Sequence, residues 1–188
     1  MDKIKNNPVL KLIKPYLNNK KAYIVGGYIR DVLMNTESPD IDLIICDCDV
    51  KEFSKNLADN INGHYIELDN ENSIYRVVLE DKINYVDITK PVENDFEKDI
   101  LRRDLTINAI AYDIHEEKII DLTGGINDIK NKVIKGITEK NFDDDPLRLL
   151  RIYRFAAKTG FTISPELINL TKKNLKTIHK SAKERINV

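Results

Sequence analysis

Two aspartates one residue apart, in the run Pro39-Asp40-Ile41-Asp42-Leu43, are the first residues of this 188-residue chain whose spacing could do chemistry. In an extended strand, side chains at i and i+2 share a face, so Asp40 and Asp42 present their carboxylates side by side. Like charges that close repel unless cations lie between them, and hard carboxylate oxygens suit Mg²⁺. Asp87, in the alternating run Ile83-Asn84-Tyr85-Val86-Asp87-Ile88, offers a third carboxylate if its strand joins the same sheet. Three acids on two strands would hold two metal ions about 3.5–4 Å apart, which activates an attacking hydroxyl and stabilises a departing pyrophosphate. A lone D-x-D more often marks a turn or a strand end, so the pair needs support from elsewhere in the chain.

That support lies just upstream. Tyr23-Ile24-Val25-Gly26-Gly27-Tyr28-Ile29-Arg30-Asp31 reads as strand, double glycine, helix. Glycines let the backbone approach a ligand, and the helix start offers N–H groups to phosphate oxygens. Arg30, one turn into that helix, can add a charge-assisted contact, whereas Asp31 is expected to pair locally. With the glycine turn only thirteen positions before the aspartate strand, one βαβ-like unit would deliver both groups. Further on, Asp145, Arg148, Arg151 and Arg154 recur every three residues, which places neighbours close together on a helix surface. Taken alone such a row reads as surface salt bridges; beside the upstream motifs, a carboxylate accepting from an exocyclic amino group and a guanidinium donating to a ring nitrogen would match both cytosine and adenine. Uracil and guanine reverse that order.

The elements that must position these groups follow from pattern. Strands are expected over Lys21–Val25, Ile41–Cys46, Tyr65–Leu68, Ile74–Leu79 and Ile83–Ile88, the last two joined by a turn at Glu80–Asp81–Lys82. Helices fit Tyr28–Met34, Val50–Asn60 and Phe96–Arg102. A longer helix runs from Pro146, stops at Gly160, and is followed by another opening at Ser164–Pro165–Glu166. Tyr153 and Phe155, on the arginine-bearing helix, are expected to pack in the core. The reading is a mixed α/β head followed by a helical extension.

Composition agrees. Hydrophobic residues make up 41% and charged residues 32%, an ordinary globular balance. Thirty basic against thirty-one acidic residues give a net charge of −1. Yet from Pro146 onward ten basic residues face two acidic ones, a local +8 that leaves −9 on residues 1–145. A basic tail beside an acidic front suits a polyanionic partner. Two cysteines, Cys46 and Cys48, exclude a disulfide framework, and the three histidines show no metal-ligand spacing to them. No apolar run approaches a membrane span and no signal peptide is read, so a cytoplasmic protein is expected.

Four motifs in order carry a resemblance: Gly26-Gly27-x-x-Arg30-Asp31 with Asp40-x-Asp42, then Arg102-Arg103-Asp104-x-x-x-Asn108-Ala109, then Asp144-Asp145-x-x-Arg148-x-x-Arg151-x-x-Arg154-Phe155. From about Lys20 to Arg185 the chain resembles the class II tRNA nucleotidyltransferases, the CCA-adding enzyme and bacterial poly(A) polymerase group of the polymerase-β superfamily. The resemblance implies an α/β fold: a polymerase-β-like nucleotidyltransferase head with a small mixed sheet over residues 1–138, then an all-helical neck over 139–188. It implies a template-independent enzyme adding C and/or A to a tRNA 3′ end from CTP and ATP. Asp40, Asp42 and Asp87 would hold two Mg²⁺ ions, and Gly26, Gly27 and Arg30 the triphosphate. Arg103 and Asp104 would contact the nucleotide near its ribose and phosphates, Asp145 and Arg148 would read the base, and Arg151 and Arg154 would help hold it. Asn108 is expected to organise its loop.

The stretch after Asp42 departs from the more familiar family version and resembles a branch that includes enzymes adding only part of CCA. The chain is expected to be a head-and-neck portion without the family's body and tail, docking tRNA weakly through its basic end. The alternatives are a poly(A) polymerase, a CC-adding or A-adding enzyme, or, outside enzymes, a nucleotide-binding domain without catalysis.

Overall fold

The structure, a computed structural model, describes residues 2–17, 20–36, 38 and 40–174. The chain forms two compact units, Met1–Ile100 with Ile110–Ile120, and Leu101–Ala109 with Asp121–Val188.

The first unit opens with α1 (Asp2–Lys5) and α2 (Pro8–Leu17). Neither was expected, because Pro8 and Pro15 punctuate the segment. Pro8 is harmless as the opening residue of α2, where its missing N–H has no helical partner, and the Asn7 side chain accepts from the Val9 and Leu10 N–H groups at 2.9 and 3.2 Å. Val9, Leu10, Ile13 and Leu17 form the buried stripe of α2. There follow β1 (Ala22–Val25), α3 (Gly27–Leu33), β2 (Asp40–Ile45), α4 (Val50–Asn60), β3 (His64–Asp69), β4 (Ile74–Val78), β5 (Tyr85–Thr89), α5 (Phe96–Leu101), β6 (Ile110–Asp113) and β7 (Lys118–Asp121). Among the described residues the strands join in one mixed sheet, in the order β3-β4-β5-β2-β1-β6-β7.

β1 and β2 pair antiparallel, which corrects the βαβ-like reading of the glycine turn. A true βαβ unit makes its two strands parallel, and α3 is instead a short connection between antiparallel neighbours. β2 finds its parallel partner in β5. One sheet face is buried, with Ile41, Leu43, Tyr75, Val77, Val86 and Ile88 on it and α3 and α4 packed near these strands. The Asp49 side chain caps α4, accepting from the Lys51 and Glu52 N–H groups at 2.9 and 3.1 Å. On the opposite face β2 alternates, with Asp40 exposed and Asp42 half-buried. Cys46 is buried and Cys48 partly so, both as free thiols. Burial pushes the Cys46 thiol up to about 11, so it is an inert packing group.

The second unit contains α6 (Gly125–Lys130), β8 (Val133–Ile134), α7 (Lys140–Asp144), α8 (Arg148–Thr159), β9 (Thr162–Ile163) and α9 (Pro165–Lys173). Among its described residues the regular elements are helices apart from the two-residue parallel pair β8–β9. Segment 101–109 belongs here rather than to the first unit. Leu105 bridges Gly136, and the Asn141 amide donates to the Leu101 and Arg103 carbonyls at 2.8 and 2.7 Å. A Cβ on Gly136 would come within 2.7 Å of Phe142, so only glycine lets this backbone lie against that fully buried ring. Leu149, Ile152 and Phe155 are the buried stripe of α8. Each contributes about 1.5–3 kcal/mol of apolar burial. Gly160, at φ 71, ends α8, and the Ser164 hydroxyl opens α9 by accepting from the Leu167 N–H. Tyr153 is 45% exposed, which corrects its core assignment, because it stands one position off the buried stripe.

Candidate functional site

In the first unit the decisive feature is register. Across the parallel pair β2–β5, Asp42 stands opposite Asp87 and Asp40 opposite Tyr85. Across the antiparallel pair β4–β5, Arg76 stands opposite Asp87. Directly opposed residues share a face, so Asp40, Asp42, Tyr85, Asp87 and Arg76 form one charged patch on the half-exposed side of the sheet. Farther along the same face Tyr23 stacks on Phe96, with ring centroids 3.9 Å apart.

Each end of this patch has a protein partner. Asp87 accepts from Arg76 Nε at 2.6 Å and from Nη2 at 2.8 Å, a bidentate fork. The Tyr85 hydroxyl donates to Asp40, and the Arg76 guanidinium lies 3.8 Å from the Tyr85 ring centroid. The hydrogen bond to Asp40, then burial, raises the Tyr85 hydroxyl above its ordinary value, and the Asp87 contact raises Arg76 likewise. Among the described residues no three His, Cys, Asp or Glu side chains are gathered closely enough to cage a metal ion unaided. The donor set nevertheless suits Mg²⁺: three hard carboxylates on neighbouring positions of one face, without sulfur or imidazole. Sequence reasoning missed Arg76. Counting back from the hairpin turn would have found it, since Arg76 and Asp87 are equidistant from that turn.

The glycine turn adjoins this face. Gly26 adopts φ 77, ψ −137, a conformation open to glycine and strained for any side chain. Arg30 is only 3% exposed, and its Nε donates to Asp31 at 2.8 Å. Asp31 thus has its local partner. The Arg30 guanidinium backs the turn, with Nη2 3.4 Å from where a Gly27 Cβ would be.

In the second unit the arginine ladder is a set of distinct jobs. Asp145 Oδ1 accepts from the Leu147 N–H at 3.2 Å, tightening the turn into α8. Arg148 Nη1 donates to the Arg102 and Asn141 carbonyls at 2.8 and 3.0 Å, so its fork is held by one corner. Arg151 Nε donates to Asp104 at 2.6 Å. Asp104 is 5% exposed, and also accepts from its neighbour's N–H at Leu105 and from the Asn108 amide. Asn108 organises the loop further by accepting from Arg103 Nη1 at its carbonyl. Arg154 is exposed, with its guanidinium 5.1 Å from the Phe155 ring centroid. Asp104 and Arg103, expected at the nucleotide, therefore also build the loop that carries them. Lys176, Lys180, Lys183 and Arg185 of the basic tail lie outside the described residues.

A family model described as the poly(A) polymerase head domain matches residues 22–135. The chain is 35% identical over 178 residues to the CCA-adding enzyme of Ligilactobacillus salivarius, covering 89% of this chain and 44% of that protein. It is 34% identical over 168 residues to the CC-adding tRNA nucleotidyltransferase of Synechocystis, with 88% and 40% covered. The solved Thermotoga maritima CCA-adding enzyme complexed with tRNA is similar in fold, with a TM-score of 0.81 and 28% identity over 91% of this chain and 43% of that one. The chain spans less than half the length of the curated relatives it matches. Among the described residues no helix is long and apolar enough to cross a membrane.

Proposed function

The chain belongs to the family of the poly(A) polymerase head domain, and on that premise we propose that it is the catalytic portion of a cytoplasmic, template-independent tRNA nucleotidyltransferase. It adds C and/or A to the tRNA 3′ end from CTP and ATP, and releases pyrophosphate. The observation that carries this reading is the β2–β5 register, which sets Asp42 opposite Asp87 with Asp40 two residues along the strand. Divalent metal use is general to this family. The finer assignment is two Mg²⁺ ions held by Asp40, Asp42 and Asp87, supplying a lowered hydroxyl pKa and charge balance for departing pyrophosphate.

The chain's own groups do the rest. The Gly26–Gly27 backbone turn receives the triphosphate, with Arg30 lending its charge from behind. Arg148, held by one corner, offers the remainder of its guanidinium to a ring nitrogen, and Asp145 accepts from an exocyclic amino group. Arg103 and Asp104 shape the loop near the ribose, and Arg151 and Arg154 steady the nucleotide. In functional terms the head spans residues 1–138 and the nucleotide-recognising neck 139–188.

The test is the set of products from each nucleoside triphosphate on a tRNA lacking its 3′ CCA. Ordered C and A addition is expected, and incorporation of U and G equal to that of C and A would overturn the base-reading assignment. A second reading, CC-only addition, is favoured by the Synechocystis relative. It gives tRNA extended by two cytidines and no terminal A. Equal extension of generic RNA with A alone identifies a poly(A) polymerase, and no incorporation with nucleotide binding intact identifies a non-catalytic domain.

A further inference from the structure

Arg76 is a cation built into the acid face, and nothing in the proposed chemistry so far uses it. It reaches both Asp87 oxygens at 2.6 and 2.8 Å, so both donor atoms of that carboxylate are engaged by one planar fork. The same guanidinium rests on the Tyr85 ring, whose hydroxyl donates to Asp40. One continuous set of contacts, Asp87–Arg76–Tyr85–Asp40, therefore joins two of the three acids. The Arg76 and Asp87 side chains are 29% and 21% exposed. Screening by water is partial there, and bidentate charge-assisted pairs are the strong kind.

A fork of this geometry has a physical consequence. It neutralises part of the mutual repulsion of three neighbouring carboxylates and fixes where Asp87 points. It also competes with any other cation for the same oxygens. We propose that Arg76, seated on Tyr85, is a positioning residue that serves as an internal counter-cation, so that a divalent cation engages Asp87 only by exchanging with its guanidinium. The exchange breaks two N–H···O contacts and forms metal–oxygen contacts in their place, with no proton or electron transferred. This inference rests on the reading of Asp40, Asp42 and Asp87 as the metal-binding acids.

The experiment titrates Mn²⁺ alone into the full 188-residue chain, following bound metal by water-proton relaxation, with circular dichroism to confirm folding. Asp42→Asn tests the metal reading and weakens Mn²⁺ binding. Arg76→Ala removes the competitor and tightens binding by about tenfold, the equivalent of about 1.4 kcal/mol. Arg76→Lys keeps the charge but not the fork and tightens it by roughly threefold; it carries the test if the alanine variant does not fold. Mn²⁺ affinity unchanged or weakened in both Arg76 variants, with Asp42→Asn still impaired, overturns the counter-cation proposal alone. Mn²⁺ affinity unchanged in Asp42→Asn overturns the metal reading and this inference with it.

Discussion

The acid face of the sheet and the basic face of α8 are both rows of charges, but the two are built differently. On the sheet, backbone hydrogen bonds set the row: register alone puts Arg76, Asp87 and Asp42 abreast on three strands. The helix sets its row by turn spacing, and then gives each charge a separate local task. Arg148 holds two carbonyls, Arg151 a buried carboxylate, and Asp145 a turn N–H. The sheet thus concentrates like charge at one place, whereas the helix distributes opposite charge over a loop. Concentrated like charge stores repulsion that a cation relieves. Distributed charge stiffens the loop over which it is spread.

The strongest way to break that comparison is to remove one acid. Asp42→Asn keeps the size and polarity of the side chain but deletes one charge of the proposed metal-binding set. Nucleotide incorporation is expected to fall on the order of 10³-fold, comparable to losing a group that stabilises transition-state charge. CTP binding to the chain is expected to stay close to wild type, because the proposed base-reading groups are Asp145 and Arg148 rather than the acids of the sheet. A tenfold or smaller loss of incorporation would mean that the sheet face is not where charge develops.

The helix face is tested next. Asp145→Ala removes the proposed acceptor for an exocyclic amino group and loosens the turn at Leu147. The preference for CTP and ATP over UTP and GTP is expected to shrink by about 1–3 kcal/mol, the discrimination typical of a bidentate base contact. Competitive nucleotide binding measures it. An unchanged preference with uniformly weaker binding would reassign Asp145 to its turn-capping role alone.

How far these faces were legible differs for the same physical reasons. Strand parity is local, so the alternation at Asp40–Asp42 and Tyr85–Asp87 announced one exposed face. Strand direction is not local, and the antiparallel β1–β2 pairing carries no signature in either strand. Hydrophobic spacing revealed α4 and α8, and the Ser164–Pro165–Glu166 opening revealed α9, whereas α2 was hidden by two prolines whose tolerance depends on position in the helix. The short strands β6 and β7 offer little pattern of their own. The spacing of Arg148, Arg151 and Arg154 gave a shared surface. It could not say that Arg151 faces Asp104, forty-seven positions earlier in the chain.

That long-range pair supplies a smaller, structural test. Arg151→Ala leaves the 5%-exposed Asp104 carboxylate, among the described residues, with its contacts from Leu105 and Asn108. Breaking a fully buried pair costs about 3–5 kcal/mol, but the Arg151 side chain is 46% exposed. Solvent screening brings the expected loss down to about 1–2 kcal/mol. Denaturant unfolding reads it. Asp104→Asn, which removes the buried charge together with its partner's attraction, is expected to cost less than Arg151→Ala. The reverse order would show that Asp104 is sustained by its N–H donors rather than by the guanidinium.

The smallest effect comes from Glu117, an acid paired with two cations but remote from either row. Lys14 and Lys5 contact its two oxygens at 2.7 and 2.6 Å, tying α2 and α1 to the turn between β6 and β7. Their hydrogen bonds and charge, Lys14 foremost, hold its carboxyl at about 2 against an ordinary 4.5. A carboxyl depressed in the folded state stabilises it above the unfolded value and loses that contribution as pH falls. The stability difference between wild type and Glu117→Gln should therefore be constant above about pH 4.5, then shrink steadily toward pH 2. Because the Glu117 side chain is 37% exposed, raising the salt concentration should also shrink it. Acid unfolding of the two proteins, at low and high salt, measures both. A difference that persists at pH 2 would show that packing of the Glu117 side chain, not its charge, secures the N-terminal helices.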